Sequence, residues 1–483
     1  MTRHGVIATV LATICAALAA ALLTVTLAGP STSPAARLRT SREAVAAATA
    51  GIPPANASQE PAIKALESSE QPPAGRPVLL TGPQHWSVWV GAEAKSPTVM
   101  PMGYYPEILT IDVGDTVTWT IHSMEPHTIT FGPQAGPNPP TVIGGAAPEG
   151  GSTYGGHGTA SSGFIMLGES YSLTFTASGV FPYHCALHPG MAGVVVVQPS
   201  GAPYPMSPGA VRATSRVQAS LAISLAEKTA AAYAPPRATV VDGRRVLHVA
   251  AGLSPPMGAG ARLVTPEGHT LGYATISEQT PTSATATVTL HNVAPHEVYA
   301  LDLLRGVCGY APAATVDLLS PITTANATSG TSTTTISPVY GVPAAGWYIQ
   351  VVEENGLLAS TIPALKYRVA GCGNVLGYDT TVSAFFPATI KIRRGDEVTW
   401  TNLSPEEIHT VTFKAPGIPR PSFHSLAGIT RTAGERYYGG YANSGVLTPG
   451  QSYSLIFEKA GTFNYDCLVH DFALMDGTVV VKG

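Results

Sequence analysis

Hydrophobic and polar residues alternate in short runs that occur twice along the chain. Val117-Thr-Trp119-Thr-Ile121 and Val398-Thr-Trp400 each follow a Gly-Asp pair, Gly114-Asp115 and Gly395-Asp396. His127-Thr-Ile-Thr-Phe131 is matched by His409-Thr-Val-Thr-Phe413, and Ser-Tyr171-Ser-Leu173-Thr-Phe175 by Ser-Tyr453-Ser-Leu455-Ile-Phe457. Phe181-Pro-Tyr183-His-Cys185 is matched by Phe463-Asn-Tyr465-Asp-Cys467. A period of two sends successive side chains to opposite faces, so each run predicts a strand with one face in a core, and the Gly-Asp pairs predict turns. The parts come in the same order in both copies. The pattern therefore predicts a duplicated β-domain.

Three other stretches read differently. Residues 211–232 place Ala, Leu and Ile at helical spacing (Leu221, Leu225), with Pro205, Pro208 and Pro235-Pro236 as breakers, which predicts a packing helix in a linker over 200–235. Between the repeats, residues 236–376 carry further strand-like runs such as Ala286-Thr-Val288-Thr-Leu290 and Trp347-Tyr-Ile-Gln-Val-Val352. At the start, Arg3 and His4 precede an apolar run over 5–28 that ends at Gly29-Pro30. It reads as an export signal over residues 1–29 and is also long enough to span a bilayer, so cleavage and retention as a membrane anchor both remain open. Residues 30–84, rich in Ala, Pro, Ser and Glu, read as a flexible tether.

Composition narrows the function. Only 12% of residues are charged and Gly and Pro are abundant, as in β-sandwiches rather than helical proteins. A net charge of −4 argues against nucleic acid as a partner.

The duplication also covers a set of chemically active residues: His127, Cys185, His188 and Met191, then His409, Cys467, His470 and Met475. Both first histidines, both cysteines and both second histidines are separated by 282 positions (409−127, 467−185, 470−188), and only the methionine shifts. One thiolate, two imidazoles and a weak thioether are the ligand set of a blue copper electron-transfer site. Two buried thiols with unrelated core histidines would not keep one register.

With these residues in view, both segments resemble cupredoxins, the plastocyanin-like blue copper domains. Cys185-Ala-Leu-His188-Pro-Gly-Met191 is similar to the contracted loop of amicyanin-like members, and Cys467-Leu-Val-His470-Asp-Phe-Ala-Leu-Met475 to the longer loop of plastocyanin and pseudoazurin. The resemblance covers 85–199 and 378–483. It implies an all-β fold: two Greek-key cupredoxin β-sandwiches flanking a β-sandwich-like middle domain over 236–376, with an apolar N-terminal helix and one linker helix. It also implies one type 1 copper in each repeat, and the second histidine, on an apolar turn, as the electron port. Both copies depart from compact members in having 57 residues between the first histidine and the cysteine, filled with Gly-, Pro-, Ser- and Tyr-rich sequence.

Cys15 lies in the apolar segment, and copper accounts for Cys185 and Cys467, which leaves Cys308 and Cys372. An oxidising compartment would allow these two to form a disulfide. Gly306-Val-Cys308-Gly and Gly371-Cys372-Gly-Asn faintly resemble the disulfide-bearing segments of copper/zinc superoxide dismutase-like sandwiches, but Ala300 and Asp302 stand where that family's His-x-His pair is expected. The middle therefore reads as a structural domain without metal.

The functional expectation is an extracytoplasmic relay of single electrons between a redox donor and a redox acceptor protein, with no substrate chemistry of its own. The rival is a copper-dependent oxidoreductase, similar to nitrite reductase or multicopper oxidase, with an additional catalytic copper. That class uses His-x-His pairs, and none occurs in the chain. His184 adjoins Cys185 as a catalytic-copper histidine would, but Thr130 and Gly132 occupy the places of its expected companions, so it reads as a solvent-facing or interface residue. Asp466, Asp471 and Asp476 surround the second site while 184–193 carries no acid, which predicts a lower potential there and electron flow from the second centre to the first.

Overall fold

The computed structural model describes residues 77–483, apart from 133–147, 189, 235–237, 254–257, 281–282, 311–313, 338–345, 355–366, 379, 405–406, 416, 418–428, 433 and 471–472. The apolar segment 1–29 and residues 30–76 of the expected tether lie outside the described residues. Among those described, no helix is long and apolar enough to cross a membrane.

The first repeat folds as two five-stranded sheets packed face to face. One runs Tyr104–Tyr105, His85–Val90, Thr116–Ile121, Ser170–Phe175, Thr153–Tyr154; the other runs Ile108–Asp112, Ala192–Gln198, Gly179–His184, Thr130–Phe131, Ala160–Ser161. The alternation seen in the sequence is the burial pattern: Val117, Trp119 and Ile121 point inward and the threonines between them do not. Trp119 fills the centre, edge-on to Phe131 and Tyr183 at 5.7 and 5.4 Å between ring centroids. Trp400 holds the same place in the second repeat, 5.8 Å from Phe413 and 5.2 Å from Tyr465.

The second repeat takes its first strand from farther back than the sequence boundary at 376/378 implies. Arg244–Leu253 runs parallel to Glu397–Asn402 as His85–Val90 runs parallel to Thr116–Ile121. Leu247 pairs with Val398 where Trp86 pairs with Val117, so this strand lies 161 positions from its twin (247−86) rather than 282. The middle sandwich is inserted between that strand and Thr380–Phe386, the next strand of the same sheet.

The inserted domain is an eight-stranded antiparallel sheet in the order Ala314–Thr323, Val298–Arg305, Trp347–Glu354, Tyr367–Tyr378, Gly258–Val264, Thr270–Thr280, Ser283–His291, Ser329–Ile336. Its two outer strands meet: the Ser320 N–H donates to Thr334 Oγ1 at 2.7 Å and Ser332 Oγ donates to the Ser320 carbonyl at 2.6 Å. The sheet thus curls around its own core of Leu263, Ile276, Leu301 and Ile349 and brings its two edges together at Ser320. Cys308 and Cys372 are joined by a disulfide across it.

Two features fasten the copper domains to each other within the compact unit Ala44–Gly483. Val99–Pro101, from the first repeat, adds as an edge strand to Thr380–Phe386 of the second. The helix expected in the linker spans Pro208–Ala232, with Ser207 Oγ accepting from the Ala210 N–H at 3.2 Å as an N-cap and proline at its first position. Its Ala219 and Ala222 pack against Ala92 and Tyr105 of the first domain. Farther along, Ala226 packs with Ala250, Leu253 and Val382 of the second. Small side chains let the helix lie close to both.

One buried acid ties the bottom of the first sandwich together. Asp115 is 1% exposed and accepts from Trp86 Nε1 (2.8 Å), the Gln84 N–H (2.7 Å), the Asp112 N–H (3.0 Å) and Tyr204 Oη (3.0 Å). Asp115→Ala strands these donors, so it is expected to cost about 3 kcal/mol or more in a denaturant titration followed by tryptophan fluorescence. A loss below about 1 kcal/mol would show that water replaces the carboxylate without penalty.

Candidate metal centres

Each ligand set is built from two paired strands and the turn that leaves one of them. His127 precedes Thr130–Phe131 and Cys185 follows Gly179–His184, and these strands pair with Tyr183 opposite Phe131. The chain then turns back on itself: the Cys185 N–H donates to the Met191 carbonyl at 3.0 Å and the Met191 N–H to the His188 carbonyl at 3.2 Å. The second set repeats this, with Phe413 opposite Tyr465 and the Cys467 N–H donating to the Met475 carbonyl at 3.0 Å. Its longer loop closes through Leu474, which adopts a left-handed conformation at φ 56°.

The donor atoms converge. Around Cys185 Sγ, His127 Nδ1 lies at 4.0 Å and His188 Nδ1 at 3.4 Å, with 3.1 Å between the two nitrogens. Around Cys467 Sγ, His409 Nδ1 lies at 3.8 Å and His470 Nδ1 at 3.5 Å. Ligands about 2.0–2.3 Å from a common ion stand about 3.5 Å apart around a triangle, so both triads fit a metal ion as they are. Met191 and Met475 are fully enclosed in the same apolar clusters as the cysteines. A soft sulfur with two imidazoles suits copper rather than a hard cation.

Backbone donors prepare each sulfur for negative charge. The N–H groups of Thr128 and Thr410 point at Cys185 Sγ (3.4 Å) and Cys467 Sγ (3.3 Å). Burial raises both thiol pKa values, but His188 and His470 with these N–H groups outweigh it and lower them. For His188 and His470, burial opposes the charge, yet the neighbouring thiolate and carboxylates hold their pKa values well above the ordinary histidine range. His127 and His409 go the other way, pushed well below it by burial and by the second histidine.

The sites differ behind the first histidine. His127 Nε2 lies 3.0 Å from Ser123 Oγ. In the second repeat the preceding strand keeps a spacing of 281, with the Leu403 N–H bonded to the Ala251 carbonyl as the His122 N–H is to that of Val90, which makes Ser404 the counterpart of Ser123 (404−123); among the described residues His409 Nε2 has no hydrogen-bond partner. At both sites the backbone passes close behind this imidazole, at Gly91 and Gly252, where φ is positive (62° and 72°) and a Cβ would collide with the ring.

The outer edges of the second histidines are where the structure departs furthest from expectation. The family resemblance makes this edge an exposed port, but His188 is 3% and His470 0% exposed, because the two ligand turns face each other across the domain interface. Between them lie Glu125 and Glu407, themselves buried. Glu407 Oε1 is 3.3 Å from His188 Nε2 and Oε2 is 3.3 Å from His470 Nε2; Glu125 reaches the same two nitrogens with its two oxygens at 3.8 Å. Burial raises the Glu407 pKa, but His188 and His470 outweigh that and lower it. Sequence reasoning passed over both acids, although each stands two residues before a first histidine and they keep the 282-residue register (407−125).

Other expectations resolve unevenly. The charge contrast between the sites is weaker than the sequence suggests, because Asp466 is paired with Lys414 at 2.6 Å. Asp476 is exposed and Asp471 lies outside the described residues. His184 is partly buried and belongs to no ligand cluster among the described residues. His122 stacks on Trp89 at 4.4 Å, and His157 is exposed.

Two buried sites, each with one thiolate, two imidazoles and a methionine at the end of a β-sandwich, define a blue copper protein. The chain belongs to the plastocyanin/azurin family of copper-binding proteins, which it matches twice, over residues 91–198 and 374–482. Among its relatives, chloroplastic plastocyanin of Tetradesmus obliquus is 36% identical over 23% of this chain and 69% of its own length. Amicyanin of Paracoccus denitrificans is 37% identical over 21% of this chain and 62% of its own. Among solved structures, a mutant amicyanin in the Cu(I) state aligns at 30% identity over 24% of this chain and 82% of its own, with a TM-score of 0.16. The cofactor is copper, one type 1 ion at each site.

Proton competition at these sites has a definite sign. His188 and His470 keep their protons to a pH above the ordinary 6.5, and copper must displace them. Copper affinity of the metal-free chain is therefore expected to fall as pH drops, beginning above 6.5 rather than below it. A chelator competition titration across that range checks this, and affinity that stays flat down to 6.5 would contradict it.

Proposed function

We propose that this chain is an extracytoplasmic electron carrier in which His127, Cys185, His188 and Met191 hold one type 1 copper and His409, Cys467, His470 and Met475 hold the other. Copper, when bound, supplies a one-electron couple; the residues supply a cage with little reason to rearrange between its two states. The observation that carries this reading is the pair of enclosed ligand triads whose second histidines, His188 and His470, face the same two glutamates, with both methionines sealed in the core. Such an arrangement favours passing electrons between the centres over binding a substrate at either. The Cys308–Cys372 disulfide supports an oxidising compartment. The apolar segment 1–29 would direct export or anchor the chain to a membrane.

Donor and acceptor are redox proteins in this reading. They dock elsewhere than on the second histidines, whose edges are turned inward. Leu474, beside Met475 and 65% exposed, is an apolar side chain of the second ligand loop that stays at the surface.

The test is copper counting joined to visible spectroscopy of the full chain. Two intense blue centres are expected, with Cys185→Ser and Cys467→Ser each removing one and leaving the other. Additional copper without that absorption would favour the rival copper oxidoreductase.

A further inference from the structure

A buried carboxylate is retained only where positive charge or donors meet it. Glu125 and Glu407 are 5% and 4% exposed. Among the described residues Glu125 Oε2 and Glu407 Oε1 have no hydrogen-bond partner, and the imidazole edges of His470 and His188 face them at 3.8 and 3.3 Å. An imidazole that ligates through Nδ1 carries its proton on Nε2, and a carboxylate facing that N–H orients the ring and makes it a stronger ligand. In the usual arrangement one carboxylate serves one metal ligand. Here each carboxylate spans two, with equal distances to both: 3.3 Å on either side for Glu407 and 3.8 Å on either side for Glu125.

We propose that Glu125 and Glu407 join the two centres into one unit, as a shared imidazole–carboxylate–imidazole bridge from His188 to His470 that sets both reduction potentials together and carries the electron between them. The inference rests on the relay reading above. In the step, one electron leaves a reduced centre through one histidine and enters the oxidised centre through the other; one centre is oxidised, the other reduced, and no proton or atom changes place. The two glutamates act through the histidines and are positioning residues.

Symmetry of contact gives the bridge a signature. A residue belonging to one site moves one potential, as Ser123→Ala is expected to do through His127 alone. A shared carboxylate moves both. Glu407→Gln removes a negative charge equidistant from the two centres and leaves a single acceptor oxygen, so both potentials are expected to rise by similar amounts in a redox titration of the copper-loaded full chain. Glu125→Gln is expected to do the same to a smaller extent. The rate of internal electron transfer after one-electron pulse reduction is expected to drop about ten- to a hundredfold in the double variant, the usual loss when a metal ligand's outer partner is removed.

Potentials that stay at their native values in the single and double variants, or a shift at one centre only, overturn the bridge, as does an unchanged internal rate. These results leave the relay reading intact, which fails instead if the native chain lacks two blue centres. If the Glu407→Gln chain does not fold, Glu125→Gln, whose side chain is the more distant from both rings, is judged by the same criterion of paired potentials.

Discussion

Two carboxylates held between two ligand imidazoles, away from water, constrain everything around them. Neither domain alone could enclose Glu125 or Glu407: each acid sits on the approach to its own first histidine and meets the second histidine of both repeats. The cluster is satisfied only when the two ligand turns are opposed in one register. The added edge strand Val99–Pro101 and the small-residue face of the Pro208–Ala232 helix make sense as devices that hold this register, since each touches both domains. The interface is thus part of the metal centres rather than a seam between them.

Much of the site was legible in the sequence because the duplication keeps strict spacing wherever the chemistry is. The ligands, their strands and the aromatic core follow from period-two alternation and the 282-residue register, with Trp119 and Trp400 one residue off it at 281 (400−119). What was not legible depends on how two domains meet. Glu125 and Glu407 carry the same register, yet a lone acid near a histidine says nothing until something buries it. The inward turn of His188 and His470 is likewise a property of the interface, and a comparison with single-domain carriers points the other way.

The domain boundary failed for a different reason. The strand Arg244–Leu253 is the twin of His85–Val90, but its spacing from that twin is broken by the inserted sandwich, and its side chains do not repeat those of the first copy. A parallel strand needs a long crossover before it meets its neighbour. In the first repeat that crossover is short in sequence; in the second it contains a whole domain. Repeats reveal duplication only while the spacing between their parts survives.

The two centres are close to equivalent in their shared surroundings and unequal in their private ones. The sulfur-facing N–H groups of Thr128 and Thr410 match, as do the distances to the glutamates. The Ser123 contact to His127, the loop lengths, and Lys414 beside Asp466 do not. In the proposed relay, these local differences rather than the common carboxylates would set the direction of electron flow.

The insertion also imposes an order on biogenesis. During synthesis the first copper domain has all its strands by about residue 198, whereas in the second Arg244–Leu253 has only the short hairpin partner Thr239–Val241 until the intervening domain has emerged and Thr380–Phe386 and Glu397–Asn402 follow. A nascent chain therefore offers one finished half and one waiting hairpin, and the glutamate pocket closes last, after the carboxy-terminal loop has been made.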